Sequence, residues 1–235
     1  MAWRHPAHGN PKVRCNPLEI TLRPETLKAA LTCAAKGDIR YYLNGVLVDV
    51  TAARTVIVAT DGHVLLAVPL DPDDIVDAAP GLYILPREAL ESVKPCKVGR
   101  DALPYRLTIT PARIEPDPER PGVDVKHPPT FSLVGVTTAA GPCVDGIFPD
   151  WRRVMPATAS GEIGQYQSAF IAAFGKVAQL LAGDRAYPVI HHNGINGGAL
   201  VTMPGTSALG VVMPFRVDPS EARHPGLPAW ARRGE

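Results

Sequence analysis

Four short segments carry the residue types from which chemistry is ordinarily built. Thr60-Asp61-Gly62-His63 gathers a hydroxyl, a carboxylate and an imidazole around a glycine, and Phe148-Pro149-Asp150-Trp151-Arg152-Arg153 places two guanidinium groups beside an indole. His191-His192 is a tandem imidazole pair followed by Asn193-Gly194, and Val211-Val212-Met213-Pro214-Phe215-Arg216 ends an apolar run on a cation. Catalysis asks for more than residue type. The chain has no phosphate-cradling Walker loop, no H-E-x-x-H metal pair and no G-x-S-x-G nucleophile elbow. Cys15, Cys33, Cys96 and Cys143 form no C-x-x-C pair and have no histidine at zinc-finger spacing, so they read as free thiols of a reducing compartment. His191-His192 lacks further ligands at metal spacing. The pattern implies no cofactor and no metal, and it is not that of an enzyme. Taken singly, Thr60–His63 reads as a turn between strands, 148–153 as a linker with a packed tryptophan, and 211–216 as a strand ending at a proline.

Composition sets the frame around these segments. The 235 residues are long enough to bury a real core, and 46% hydrophobic with 20% charged residues is ordinary for a soluble globular protein. Twenty-five prolines and 21 glycines disfavour long helices. A net charge of +1 does not itself argue for nucleic acid, although a local basic face can bind phosphates while acidic residues elsewhere cancel the sum. The N-terminus lacks the apolar stretch of a signal peptide, and no apolar run is long enough for a bilayer, so a cytoplasmic protein without a membrane partner is expected.

The elements that must position the four segments repeat three times, each time as a strand, a helix and further strands. The first unit starts with the alternating strand 18–22. A helix over 24–37 follows, with Pro24 suited to its first turn, Gly37 to its stop, and Leu27, Ala30, Leu31 and Ala34 on one face. Strands are predicted over 39–50, 54–62 and 63–70. The second unit has a strand at 81–86, a short helix over 87–94, strands over 106–116 and 130–140, and a proline-rich surface loop over 116–129. The third has a strand at 161–166, a helix over 167–183, and strands over 187–193, 198–203 and 208–217. The fold class is therefore α+β, with antiparallel sheets covered on one face by short helices. Residues 1–17 and 218–235 read as flexible arms. Trp230, flanked by Arg223, Arg232 and Arg233, is the one feature of the C-terminal arm with the character of a docking element.

Taken together, Asp38–Val50 (DIRYYLNGVLVDV), Val58–Leu70 (VATDGHVLLAVPL), Gly146–Pro156 (GIFPDWRRVMP) and Gly210–Arg216 (GVVMPFR) resemble the bacterial DNA sliding clamp, the beta subunit of DNA polymerase III. Their order and spacing carry the resemblance, which covers roughly residues 18–217. It implies the DNA-clamp fold, with residues 18–156 as one complete two-unit domain and 157–217 as half of another. It also implies a non-enzymatic replication or repair scaffold. Such a scaffold binds clamp-motif peptides of polymerases or clamp loaders and tethers them to DNA. The other reading is a clamp-derived peptide-binding module that does not encircle DNA and competes with a host clamp for partners.

Position by position, the resemblance places a peptide pocket at Leu43, Thr60, Gly62, His63 and Leu65, at Pro149, Arg153 and Val154, and at Val211, Val212, Met213, Pro214, Phe215 and Arg216. Leu65, Val154, Val212 and Met213 would supply apolar walls, with methionine adapting to several ligand shapes. The chain departs from the family at Val64, where an arginine is usual, and at Phe215, where methionine or leucine is usual, so one rim should be more apolar. The resemblance also implies phosphate contacts to duplex DNA. Tyr41 and Tyr42 match family positions that touch DNA, and Arg23, Lys28, Lys36, Lys94, Lys97 and Lys176 lie near the helices, as do Arg87, Arg100 and Arg185. A half domain leaves an uncovered edge and face, from which a homo-oligomer is expected: a dimer through the third unit, or a larger assembly.

Overall fold

The computed structural model describes residues 17–76, 80–94, 97–98, 101–120, 122–218, 226 and 231. The expectations for residues 1–16, Cys15, Cys96, Arg100, Trp230 and its flanking arginines lie outside these, as does the side chain of Lys97.

Helices form where the apolar period demands one covered face. The chain opens with strand β1 (Leu18–Leu22), whose leucines and isoleucine alternate inward, and passes to helix α1 (Pro24–Cys33). Pro24 sits at the start of α1, where its missing N–H is not needed. The helix ends earlier than its apolar pattern suggests. Its last carbonyls are taken by a side chain from far along the sequence: the Arg87 guanidinium donates to the carbonyls of Leu31, Ala34 and Ala35 at 3.2, 2.9 and 3.1 Å, and Glu91 holds its other edge at 2.8 Å. Arg87 is thus a helix cap and not a free cation for phosphate.

The segment expected to enter the next strand at residue 39 does not do so. Asp38 and Asn44 close on each other through backbone and amide bonds of 2.9 and 2.7 Å, and Tyr41–Leu43 forms one 3-10 turn between them. Strand β2 begins only at Gly45 (Gly45–Val50) and continues to β3 (Thr55–Thr60) and β4 (Val64–Pro69). A short β5 (Ile75–Val76) precedes β6 (Gly81–Pro86), helix α2 (Arg87–Glu91) and the small pair β7 (Lys97–Val98) and β8 (Asp101–Ala102). Strand β9 (Tyr105–Thr110) and β12 (Thr130–Val134) extend into a two-stranded ribbon, β10 (Arg113–Pro116) with β11 (Asp124–His127), before β13 (Thr138–Pro142). The proline-rich loop expected over 116–129 is therefore in part a strand, because the Asp117–Val123 turn closes the hairpin. The third unit contributes α3 (Ser168–Ala182), β14 (Val189–His191), β15 (Ala199–Thr202) and β16 (Leu209–Val212). Its opening segment, expected as a strand at 161–166, forms a single bridge between Gln165 and Phe215.

Two larger sheets result. One has five strands in the order β13-β12-β9-β1-β5, the other seven in the order β14-β15-β16-β4-β3-β2-β6. All pairings are antiparallel. The first strand of each of the first two units crosses to the sheet of the other, β1 beside β9 and β6 beside β2. The third unit joins the first through β16 and β4 and through α3 against α1. A single inner core runs through all three units, from Leu18, Leu27 and Leu107 to Phe174, Val177 and Val201.

Alternation splits the seven-stranded sheet into two faces. Val46, Val48, Ile57, Leu66, Leu85 and Val212 enter the inner core. Leu47, Val56, Val58, Leu65, Ala67, Ile84 and Val211 form a second, smaller core on the outer face, roofed by Val144, Phe148, Trp151 and Met155. Cys33 and Cys143 are free and buried. Burial pushes the Cys33 thiol up to about 12, with the Asp61 carboxylate adding to it, and the Cys143 thiol up to about 11, so neither is a reactive thiolate at neutral pH.

Candidate functional site

The outer core opens at one end into a cleft of about 140 Å³. One wall is the β3–β4 turn, one is the segment 148–154 that roofs the outer core, and one is the end of β16.

The turn is fixed by its own side chains. The Asp61 carboxylate accepts from the backbone N–H groups of His63 and Val64 at 2.7 and 2.8 Å, an Asx-type closure. The buried Thr60 hydroxyl donates to the Val64 carbonyl at 2.6 Å and accepts from the Gly62 N–H at 3.0 Å. Gly62 has φ +94°, and a Cβ there would meet the Arg40 guanidinium at 2.9 Å, so both conformation and space require glycine. Arg40 donates to the Asp61 carbonyl at 3.0 Å and is held in turn by both carboxylate oxygens of Asp38, at 3.0 and 2.6 Å. That guanidinium keeps the Asp38 carboxyl well below the usual range, at about 2. The His63 ring stacks on Phe170 of α3 with centroids 5.4 Å apart, and its carbonyl accepts from the Met213 N–H at 2.8 Å. His63, although exposed, thus joins the first unit to α3 and to the segment after β16 of the third.

The wall at 148–154 contains a 3-10 turn (Trp151–Val154) whose first N–H groups are met by the Asp150 side chain at Arg152. Phe148 is buried in the outer core, while Pro149, Asp150, Trp151 and Val154 face the cleft. Beneath them lies Asp49 on β2, a carboxylate with 2% exposure in an otherwise apolar strand. It accepts from the Trp151 indole N–H at 2.8 Å and from the Arg152 guanidinium at 2.5 Å, and the guanidinium also lies 4.3 Å from the indole centroid.

Of the pocket residues expected from sequence, nine line the cleft: Leu43, Thr60, Gly62, His63, Leu65, Pro149, Val154, Val211 and Met213. Five do not. Val212 is fully buried in the inner core, because its neighbour Val211 takes the outward position of the alternation. Arg153 is exposed and does not line the cleft. Pro214, Phe215 and Arg216 lie beyond the strand end, where the Phe215 N–H donates to the Gln165 carbonyl at 2.6 Å. Arg40, Val64, Phe148, Asp150 and Trp151 also line the cleft. Phe148 and Trp151 were visible as aromatics in the segment already singled out. Arg40 and the supporting Asp49 become visible only through contacts across the sheet.

The residues expected to face DNA are distributed over several elements. Lys28 and Lys176 are carried by α1 and α3, Arg23 precedes α1, Lys36 reaches toward Glu91 at 4.0 Å, and Lys94 is exposed after α2. Arg185 follows α3, exposed. Tyr41 and Tyr42 meet edge to face at 5.7 Å, beside Gly146 of the segment that leads into the roof. His191 bonds the Thr202 hydroxyl at 2.9 Å and His192 the Tyr166 hydroxyl at 3.2 Å. Among the described residues no group of three or more His, Cys, Asp or Glu side chains is placed to hold a metal, and no helix is long and apolar enough to cross a membrane. A second and larger groove, about 1240 Å³, runs between Arg23, the β2–β3 turn and the 205–208 turn. Its lining includes the cations Arg23 and Arg54 and the carboxylates Glu25, Asp71 and Asp74.

No family model matches the chain. Among curated proteins it is 33% identical over 144 residues to the beta sliding clamp of Escherichia coli K12, covering 59% of this chain and 34% of that protein. It is 31% identical over 144 residues to the beta sliding clamp of Proteus mirabilis, and 27% identical over 186 residues to that of Pseudomonas putida, the latter covering 74% of this chain and 44% of its relative. The chain thus spans between a third and a half of the length of these relatives. Among solved structures it is similar to a Pseudomonas aeruginosa DNA polymerase sliding clamp, with a TM-score of 0.58 at 19% identity over 91% of this chain and 70% of that one. It is also similar to Caulobacter crescentus pol III beta, with a TM-score of 0.53 at 17% identity over the same shares. The fold is the α+β clamp fold.

Proposed function

From the premise that this chain is a relative of the bacterial DNA sliding clamps, we propose that it is a non-enzymatic scaffold of DNA replication or repair whose outer cleft captures clamp-motif peptides. The single observation that carries this reading is the convergence of three sequence-distant segments, 60–65, 148–154 and 211–213, on one small apolar cleft with polar groups at its rim. Concave, largely apolar sites with a few fixed polar groups are the usual form of peptide and small-molecule sites. Leu43, Leu65, Val154, Val211 and Met213 would receive apolar anchor side chains of the peptide. Arg40 and the backbone of the Gly62 turn would fix its polar atoms.

The peptides would be those of polymerases and clamp loaders, and duplex DNA would be the track on which they are held. The basic side chains of α1, α3 and their flanks are the candidates for phosphate contact. The topology also supports a second copy of the chain as a partner. Among the described residues β14 is one edge of the seven-stranded sheet, and the opening segment of unit three does not cross to a sheet of another unit as β1 and β6 do. Light scattering should therefore give a dimer or larger species at micromolar concentration, and a monodisperse monomer contradicts this assembly.

Two measurements separate the tether from its alternative. A tether binds a fluorescent clamp-motif peptide and stays on circular DNA until the circle is linearised. A clamp-derived module that competes with a host clamp for partners binds the peptide but does not associate with DNA at physiological salt. Absence of peptide binding contradicts both.

A further inference from the structure

Among the described residues the outer face of the seven-stranded sheet carries one buried ionisable group, and both side chains that bond it belong to the wall of the cleft. Asp49 stands on β2 between Val56 of β3 and Leu82 of β6, on the same side of the strand as Leu47, which packs in the outer core. A strand that is otherwise Gly, Val and Leu gains nothing in packing from a carboxylate at that position. A buried carboxylate left unpaired is strongly unfavourable, and one paired with a cation and a second donor is not. The partners here are adjacent residues of the 3-10 turn, Trp151 through its indole N–H and Arg152 through its guanidinium, both on the same carboxylate oxygen. The guanidinium is itself half in solvent, so the charge is neutralised without being sealed in. At its front the roof is tied to the sheet by the Val144 N–H on the Ile84 carbonyl, and at its far end by Asp49.

We propose that Asp49 is the positioning residue of the cleft. Its carboxylate seats Trp151 and Arg152 and thereby sets where the wall at 148–154 stands against the turn at 60–65. Asp49 does not touch the bound peptide; it acts through Trp151 and Arg152, and this role rests on the reading of the cleft as a peptide site. The carboxylate favours the seated wall over a released one because release breaks two hydrogen bonds to it, one of them from a guanidinium.

The test uses the full chain with Trp3→Phe and Trp230→Phe, which leaves Trp151 as the sole tryptophan. Asp49→Ala and Asp49→Asn are compared by Trp151 emission and acrylamide quenching without ligand, by anisotropy of a labelled clamp-motif peptide, and by far-UV circular dichroism. Trp151 emission is expected to shift red and quenching to rise in Asp49→Ala, less so in Asp49→Asn, which keeps an acceptor for the indole. Peptide affinity is expected to fall about tenfold in Asp49→Ala, the scale of a hydrogen bond to a charged group. A folded Asp49→Ala with unchanged Trp151 emission and quenching overturns the proposal, and so does a spectral shift with unchanged affinity. If Asp49→Ala does not fold, Arg152→Met on the half-exposed partner takes its place with the same two readings. In a Trp151→Phe background Asp49→Ala should cost less affinity than in the parent, since only the Arg152 contact is left to lose, and persistence of the full effect also overturns the role. If the unaltered cleft binds no peptide, the functional reading fails, while Trp151 emission still decides whether Asp49 seats the wall.

Discussion

The two faces of the seven-stranded sheet follow different rules although they share every strand. The inner face is mainly aliphatic and aromatic, packed against α1, α3 and the five-stranded sheet. The outer face is a smaller core with a carboxylate inside it, a hydroxyl at its rim and a cleft at its end. Val211 and Val212 are neighbours in one strand, yet one lines the cleft and the other supports the fold. A period of two in the sequence thus separates residues that make the protein stable from residues that let it bind.

If that division is right, substitutions on the two faces should separate stability from binding. The largest effect is expected inside. Phe174 lies so close over Gly210 that a Cβ there would meet its ring at 2.3 Å, so the aromatic fills the space the glycine leaves. Phe174→Ala should lower the unfolding free energy by about 3–5 kcal/mol in urea titration, a loss typical of a buried phenylalanine. Gly210→Val should act on the same contact from the other side, by about 1–3 kcal/mol through overpacking. At the rim, Gly62→Ala faces both a positive φ and the Arg40 guanidinium. It should cost about 1–2 kcal/mol in stability and weaken peptide binding as well, because it displaces the turn that forms one wall. A Gly62→Ala protein with unaltered peptide affinity would blur the proposed boundary between the faces.

The smallest expected effect is electrostatic and confined to acid. The carboxyl of Asp38 titrates at about 2 in the folded chain because Arg40 binds it, against about 3.9 for an unperturbed aspartate. The folded value is depressed, so the pair's contribution is present above about pH 4 and is lost as pH falls toward 2. Asp38→Asn should therefore be less stable than the unaltered chain at pH 6 and equal to it below pH 2. Because the pair is exposed, the difference should shrink with added salt. A difference that persists at pH 1.5 would mean that Asp38 acts through its hydrogen bonds to the backbone and not through charge.

Much of this arrangement was legible in the residues. Alternation and the 3.6-residue period pointed to the three units and their helices, and the resemblance carried by TDGH, FPDWRR and VVMPFR pointed to the three segments that meet at the cleft, though not to every residue in them. What was not legible depends on contacts between distant segments. The aromatic-rich stretch before Gly45 reads as a strand by composition, but Asp38 and Asn44 pin it into a turn that no local pattern announces. Arg87 reads as a surface cation until α1 is seen to end on it. Asp49 reads as a polar interruption of a strand until Trp151 and Arg152, a hundred residues later, arrive above it. Val212 was assigned to the pocket with Val211 because the resemblance marks a run of residues, while the pleat admits only every second one. The opening segment of unit three has the alternation of a strand, but a strand needs a neighbour, and its partners are loop residues 192–194 and Phe215.

The most direct test of the central claim, that the outer cleft is the binding site, is a titration of a clamp-motif peptide against the unaltered chain and Met213→Asp. Met213 lines the cleft with its side chain partly exposed, so the substitution should leave the urea midpoint nearly unchanged while placing a charge against the apolar anchors of the peptide. The expected result is saturable binding to the unaltered chain and at least a roughly tenfold loss in Met213→Asp, on the scale of an uncompensated polar group in an apolar site. Equal affinity for the two proteins would contradict the account.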